Sequence, residues 1–218
     1  MIISHKNKYI FIEVPKTGTT SIRKFLIDND PSATRNEAEI NGIYYKFKLH
    51  MKAHEAKQLL GPELYKEFRV FAFVRDPYEK VVSQYFYYNQ MTSKKKRAKK
   101  QTIGTTIRSI TASILPLQLW TLLFTYDGNI RYLTDEKGDI IVDYIGSFEN
   151  INKDLKSILK LLNLNMDTTK LSERNRSSYN RSKSYFSNTL FKRLMHLKMV
   201  EDLKFYNKEK LDSKNKHN

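Results

Sequence analysis

Residues 9–27 read YIFIEVPKTGTTSIRKFLI, and this stretch decides the fold. Tyr9 to Val14 is a β-branched and aromatic run stopped by Pro15, the pattern of a buried strand. Ile22, Phe25 and Leu26 then recur at the spacing of one apolar helical face. Between strand and helix lie Lys16, Thr17, Gly18, Thr19, Thr20 and Ser21. Gly18 lets the backbone curl, and successive N–H groups at the helix start can converge on one anion, with the hydroxyls and the Lys16 ammonium around it. The order differs from a Walker A loop, because the lysine precedes the only glycine. An ordinary threonine-rich turn accounts for the same residues, so this segment alone leaves both readings open.

Outward from that stretch, Arg69 to Val74 (RVFAFV) reads as a second buried strand, and Arg75 stands at its end. Asp76, Pro77 and Glu79 carry the signature of a helix start, with a capping residue, proline at the first helical position and a capping box. Ser83 follows two turns into that helix. A guanidinium and a hydroxyl so spaced can share a phosphate. The plain alternatives are a salt bridge from Arg75 to Asp76 or Glu79, and a solvent-facing Ser83. Two strand-end anion turns in one small chain suit a nucleotide with two separated phosphates.

The remaining patterns are coarser. Gly42 to Leu49 reads as extended, Ala53 to Leu60 as a helix closed by Gly61–Pro62, and Ile107 to Phe124 as helical with a break at Pro116. Arg131–Leu133 and Ile140–Val142 resemble a hairpin, Asp143 to Phe148 is extended, and Ile151–Leu162 and Leu190–Leu211 are helices. Strands alternating with helices predict an α/β fold: one domain over 1–212 with a central, mostly parallel sheet flanked by helices, and a frayed tail over 213–218.

Lys and Arg number 39 against 23 Asp and Glu, a formal charge of +16, which calls for an anionic partner. Its densest run is Lys94–Lys100, a solvated loop or an arm for an anionic acceptor. The chain has no cysteine, so disulfides and thiolate metal sites are excluded. No signal-peptide pattern is present, and the greasiest segment, Ile114 to Phe124, falls well short of the ~20 residues that span a bilayer. A soluble cytoplasmic protein without a transmembrane segment is expected.

FIEVPKTGTTSIRKFL resembles the 5'-phosphosulfate loop of sulfotransferases that use 3'-phosphoadenosine 5'-phosphosulfate (PAPS), and FAFVRDPYEKVVSQY resembles their 3'-phosphate motif. VDYIGSFENINKDLKSILKLLNL and MVEDLKFYN are similar to later landmarks of the carbohydrate branch of that family. The resemblance implies a P-loop-like domain, PAPS as donor with 3',5'-ADP as product, no metal, and in-line transfer of a sulfuryl group to a carbohydrate hydroxyl. It assigns Lys16 through Ser21 to the 5'-phosphosulfate, and Arg75 with Ser83 to the 3'-phosphate.

Sulfuryl transfer also needs a base for the acceptor proton, and a histidine suits neutral pH. His50 and His54 lie between the two motifs; His50, followed by Ala53 and Gly61, fits the family's register, with His54 in reserve and Glu55 third. Tyr85, Tyr87 and Tyr88 suit either sugar stacking or core packing. Ser147 departs from the family, where a basic residue commonly precedes Phe-Glu. The Arg- and Ser-rich loop Ser172–Ser187 holds the weaker candidates Asn175 and Ser177. A nucleotide kinase or P-loop NTPase variant would show Walker A order and a metal-holding acidic strand end. A basic nucleic-acid-binding protein would explain the charge but not the paired turns.

Overall fold

The computed structural model describes residues 1–93, 102–171 and 185–215. The Lys94–Lys100 run, residues 172–184 of the Arg- and Ser-rich loop with Asn175 and Ser177, and residues 216–218 of the expected tail lie outside them. The chain divides into two compact units. The first comprises Met1–Arg75, Asn129–Asn175 and Phe205–Asn218, and the second Asp76–Gly128 and Arg176–Lys204.

The first unit is built on a sheet in the order β3-β1-β2-β6-β7, from β1 (Ile2–Ser4), β2 (Tyr9–Ile12), β3 (Ala33–Arg35), β6 (Arg69–Val74) and β7 (Tyr144–Ser147). A separate hairpin pairs β4 (Glu37–Ile40) with β5 (Ile43–Lys46). The expectation of a mostly parallel sheet is corrected here. Among the described residues β2–β6 and β6–β7 are parallel, whereas β1–β2, β1–β3 and β4–β5 are antiparallel, so the sheet content is mixed and antiparallel pairs predominate. The cause is local. The tight turn from His5 to Lys8 joins β1 to β2, and so short a link permits only an antiparallel pair.

Strands β2 and β6 are buried on both faces, and their alternation sorts the core into two layers. Tyr9, Phe11, Phe71 and Phe73 face α1 (Thr19–Asn29) and α7 (Ile151–Leu161), which contribute Ile22, Phe25, Leu26, Leu155, Ile158 and Leu159. Ile10, Ile12, Val70, Ala72 and Val74 face the other way, toward Ala53, Ala56 and Leu60 of α2 (Ala53–Leu60) and Tyr65 of α3 (Pro62–Lys66). Gly146 in β7 is required by packing, since a Cβ there would lie 2.5 Å from the Phe73 ring. The expected hairpin after Arg131 reduces to a 3-10 turn at Ile130–Tyr132 and a single bridge from Thr134 to Ile140.

The second unit is helical in its described part: α4 (Pro77–Ser93), α5 (Ile103–Ile114), α6 (Leu117–Leu123) and most of α8 (Thr189–Asn215). Asp76 caps α4 as expected, its Oδ1 accepting from the N–H groups of Tyr78 and Glu79. One cluster in this unit centres on Val82, Tyr85, Leu117 and Trp120, and another on Val81, Phe191, Met195 and Met199. Tyr85 is therefore a core residue, and its hydroxyl donates to the Leu115 carbonyl at 2.8 Å. Past Lys204, α8 continues into the first unit, where Phe205 and Tyr206 join the core. Among the described residues no helix is long and apolar enough to cross a membrane.

Candidate active site

The parallel strands β2, β6 and β7 run side by side, so their C-terminal ends share one edge of the sheet, the edge at which α/β sheets bind ligands. Each end delivers one part of a site within the first unit. The turn after β2 brings Lys16 and Gly18, the end of β6 brings Arg75, and the end of β7 brings Phe148.

These three parts touch. The Arg75 guanidinium donates from Nη1 to the Lys16 carbonyl at 3.3 Å and lies 4.4 Å from the centroid of the Phe148 ring. Gly18 packs on the same ring and on Ile151. A Cβ at Gly18 would lie 2.8 Å from Ile151 Cδ1 and 3.0 Å from Phe148 Cδ2, and its φ of 80° is left-handed. Only glycine fits. Asn129, fully buried, fixes the backbone of Arg75 from both sides: its Oδ1 accepts from the Arg75 N–H at 3.3 Å, and its Nδ2 donates to the Arg75 carbonyl at 2.9 Å.

The electrostatics suit an anion. Lys16 is left-handed, with φ 68°. Burial, reinforced by the positive charge of Arg75, pulls its ammonium down to about 8. Two cations held together in a partly dry corner gain from an anion between them. The turn adds the N-terminus of α1, where Gly18 contributes no side-chain cap and the first turn holds no acidic residue. Thr19 and Ser21 are buried there and Thr20 is partly exposed. Thr17 is committed differently. Its hydroxyl donates to the Val14 carbonyl at 2.9 Å and closes the turn, which leaves its backbone for any ligand.

His50 also carries a left-handed backbone, with φ 52°. Its Nδ1 lies 2.7 Å from the carbonyl oxygen of Glu13, three residues ahead of Lys16. A carbonyl only accepts, so Nδ1 carries the proton and Nε2 keeps its lone pair. Burial lowers the His50 pKa below its ordinary value, and the Glu13 carbonyl only partly offsets it, so the ring is neutral at pH 7. The Glu13 side chain is itself fully buried. Its carboxylate accepts from Arg23 Nη1 at 2.7 Å and Arg35 Nε at 3.2 Å, and pairs with the Met1 ammonium. Burial pushes that carboxyl up, and the three cations more than reverse the effect, holding it ionised.

The other candidates are held by different contacts. His54 lies partly exposed on α2. Glu55 caps that helix: its carboxylate accepts from the Lys52 N–H at 2.9 Å and pairs with Lys48 at 2.8 Å. Burial raises its pKa, but the Lys48 and Lys52 contacts prevail and lower it, which suits a cap better than a base. Ser83 is buried in the second unit, at 3% exposure, so a solvent-facing role is excluded. Ser147 caps the following 3-10 turn, its Oγ accepting from the Glu149 N–H at 3.2 Å.

Sequence reasoning missed Glu13, Asn129 and Phe148. Glu13 was legible as the one charge in the otherwise apolar run Tyr9–Val14, and Phe148 by its place directly after Ser147. Asn129, in an irregular Asp-Gly-Asn stretch, carries no such signal.

The profile described as Sulfotransferase family matches residues 1–214 of this chain. An uncharacterized protein of Archaeoglobus fulgidus is 28% identical over 117 residues, covering 52% of this chain and 83% of that protein. The crystal structure of mouse sulfotransferase SULT7A1 complexed with PAP superposes with a TM-score of 0.50 at 14% identity, over 99% of this chain and 90% of that one. A likeness at that identity supports the shared fold.

Proposed function

This chain belongs to the sulfotransferase family, and from that premise we propose that it moves a sulfuryl group from PAPS to a carbohydrate hydroxyl by in-line displacement. The observation that carries the reading is the junction of the Lys16 turn, Arg75 and Phe148 at one strand edge. Its two cations are predisposed to an anion, and PAP, the ligand of the mouse relative, is a 3',5'-bisphosphate.

PAPS supplies the sulfuryl group and a phosphate as leaving group. Lys16 meets the 5'-phosphosulfate and neutralises charge at the bridging oxygen as the S–O bond breaks. Backbone N–H groups from Thr17 to Thr20 hold the same phosphate at the start of α1, and Ser21 adds its hydroxyl, since its N–H donates to the Gly18 carbonyl at 3.0 Å. Arg75 takes the 3'-phosphate, and Ser83 shares that role by its spacing from Arg75. His50 Nε2 accepts the proton of the acceptor hydroxyl as its oxygen attacks sulfur, while the Glu13 carbonyl holds the ring in the needed tautomer. The net charge of +16 favours an acceptor that is anionic.

The test is transfer from sulfur-labelled PAPS to a panel of neutral, uronic-acid and sulfated glycans, with small alcohols and phenols as controls. Label should enter carbohydrate with one equivalent of 3',5'-ADP released. Label confined to the alcohols or phenols removes the carbohydrate assignment, and PAPS left intact with every acceptor removes the activity.

A further inference from the structure

Helix α5 is built inside out. Its buried positions are Ser109 and Ala112, with Ser109 Oγ turned back to the Thr105 carbonyl at 3.0 Å. Its outward face is a stripe of isoleucines at helical spacing: Ile103, Ile107, Ile110 and Ile114 are 82%, 48%, 46% and 73% exposed. A surface helix of a globular protein normally shows the reverse arrangement. The same unit exposes further large apolar side chains. Leu119, Leu122 and Leu123 are exposed on α6, and Leu190, Leu194 and Leu197 on α8. The last two helices adjoin, since Lys198 Nζ donates to the carbonyls of Thr121 and Leu122 at 2.8 and 3.3 Å. An exposed apolar surface of this extent marks an interaction site.

Charge identifies the occupant. From Lys80 to Tyr126 the sequence contains eight Lys and Arg and no Asp or Glu. The second unit as a whole carries 15 Lys and Arg against 5 Asp and Glu. A second copy of the chain would bring that acid-free segment against another like it. A nucleic acid would satisfy the cations and leave the isoleucines in water. An interface of apolar acyl chains beneath anionic headgroups satisfies both.

We propose that the outward face of α5, with the neighbouring leucines of α6 and α8, docks this chain onto an anionic phospholipid surface. Docking lays α5 in the interface with its isoleucines in the acyl boundary, and the net positive charge of the unit draws it to the anionic headgroups.

The test is vesicle flotation with the intact chain. Vesicles of phosphatidylcholine with roughly 30 mol % phosphatidylserine should bind it at least about tenfold better than phosphatidylcholine alone, and ~0.5 M salt should weaken binding. The Ile103→Ser, Ile114→Ser double variant should unfold at the wild-type temperature, because these are the two most exposed side chains of the stripe, and should lose vesicle binding about tenfold or more. Ile110→Trp adds an independent signal: its fluorescence should be quenched by brominated acyl chains. Equal binding to neutral vesicles, binding undiminished in the double variant, or an unquenched Trp overturns the proposal. So does a dimer in sedimentation that the double variant dissociates while neither vesicle binds, since that assigns the face to a second copy.

Discussion

Lys16, Arg75 and His50 occupy unusual positions, two of them on left-handed backbone and one stacked on a phenyl ring. Substitutions should respect that. Lys16→Asn tolerates the left-handed conformation, and should lower kcat more than it raises the KM for PAPS, because the ammonium meets charge that grows in the transition state. The ammonium, held at about 8, gains affinity for its proton when an anion arrives. Titration calorimetry of 3',5'-ADP at pH 8 in buffers of different ionisation heat should therefore show uptake of up to about half a proton, absent in Lys16→Asn. Release of protons would mean that Lys16 does not meet the ligand. His50→Asn keeps the backbone conformation but has no base, so turnover should fall roughly 10²–10⁴-fold with 3',5'-ADP affinity near wild type. The sign of the pH effect follows from its depressed pKa: wild-type activity should fall only as pH drops below the ordinary histidine range, and the variant should lose that acidic limb. A wild-type rate in His50→Asn, with His54→Asn inactive, transfers the role to His54.

At the scale of the element, the loop between β2 and α1 rests on the Phe148 ring and on Ile151. Gly18→Ala combines a left-handed φ with a Cβ 2.8 Å from Ile151, so it should destabilise by about 2–4 kcal/mol and lower the urea midpoint at an unchanged m-value. A midpoint equal to wild type would show that Phe148 and Ile151 move aside freely. Much of this element was readable in advance. The run Tyr9–Val14, its stop at Pro15 and the apolar triplet of α1 leave little choice of strand, turn and helix, and the Asp76–Pro77 start of α4 is equally plain. The short strands were not. β1 and β3 are three residues long, too short to show a period; β1 is folded onto β2 by the His5–Lys8 turn, and β3 in turn pairs with β1. Those unread strands are the reason the parallel expectation failed. In the site, the cations were legible because anion chemistry dictates residue type. The parts that hold them, Asn129 and Phe148, act through contacts that only the folded chain creates.

On the scale of the whole molecule, charge is the property that composition and function share. The chain carries +16, with a large part of the excess in the second unit. For an anionic glycan the acceptor KM should rise with salt, as exposed charges are screened beyond ~8 Å at physiological ionic strength, whereas a neutral acceptor should show little change. Equal salt dependence for both would separate the charge from acceptor capture. The sulfotransferase reading itself rests on a nucleotide with two phosphates, one at the Lys16 turn and one at Arg75. Titration calorimetry of 3',5'-ADP against 5'-AMP in the presence of EDTA addresses that directly. We expect 3',5'-ADP to bind at least about tenfold more tightly, a difference of ~1.4 kcal/mol, with Arg75→Ala abolishing the preference. Equal affinities for the two nucleotides, or binding that appears only with Mg²⁺, would contradict it.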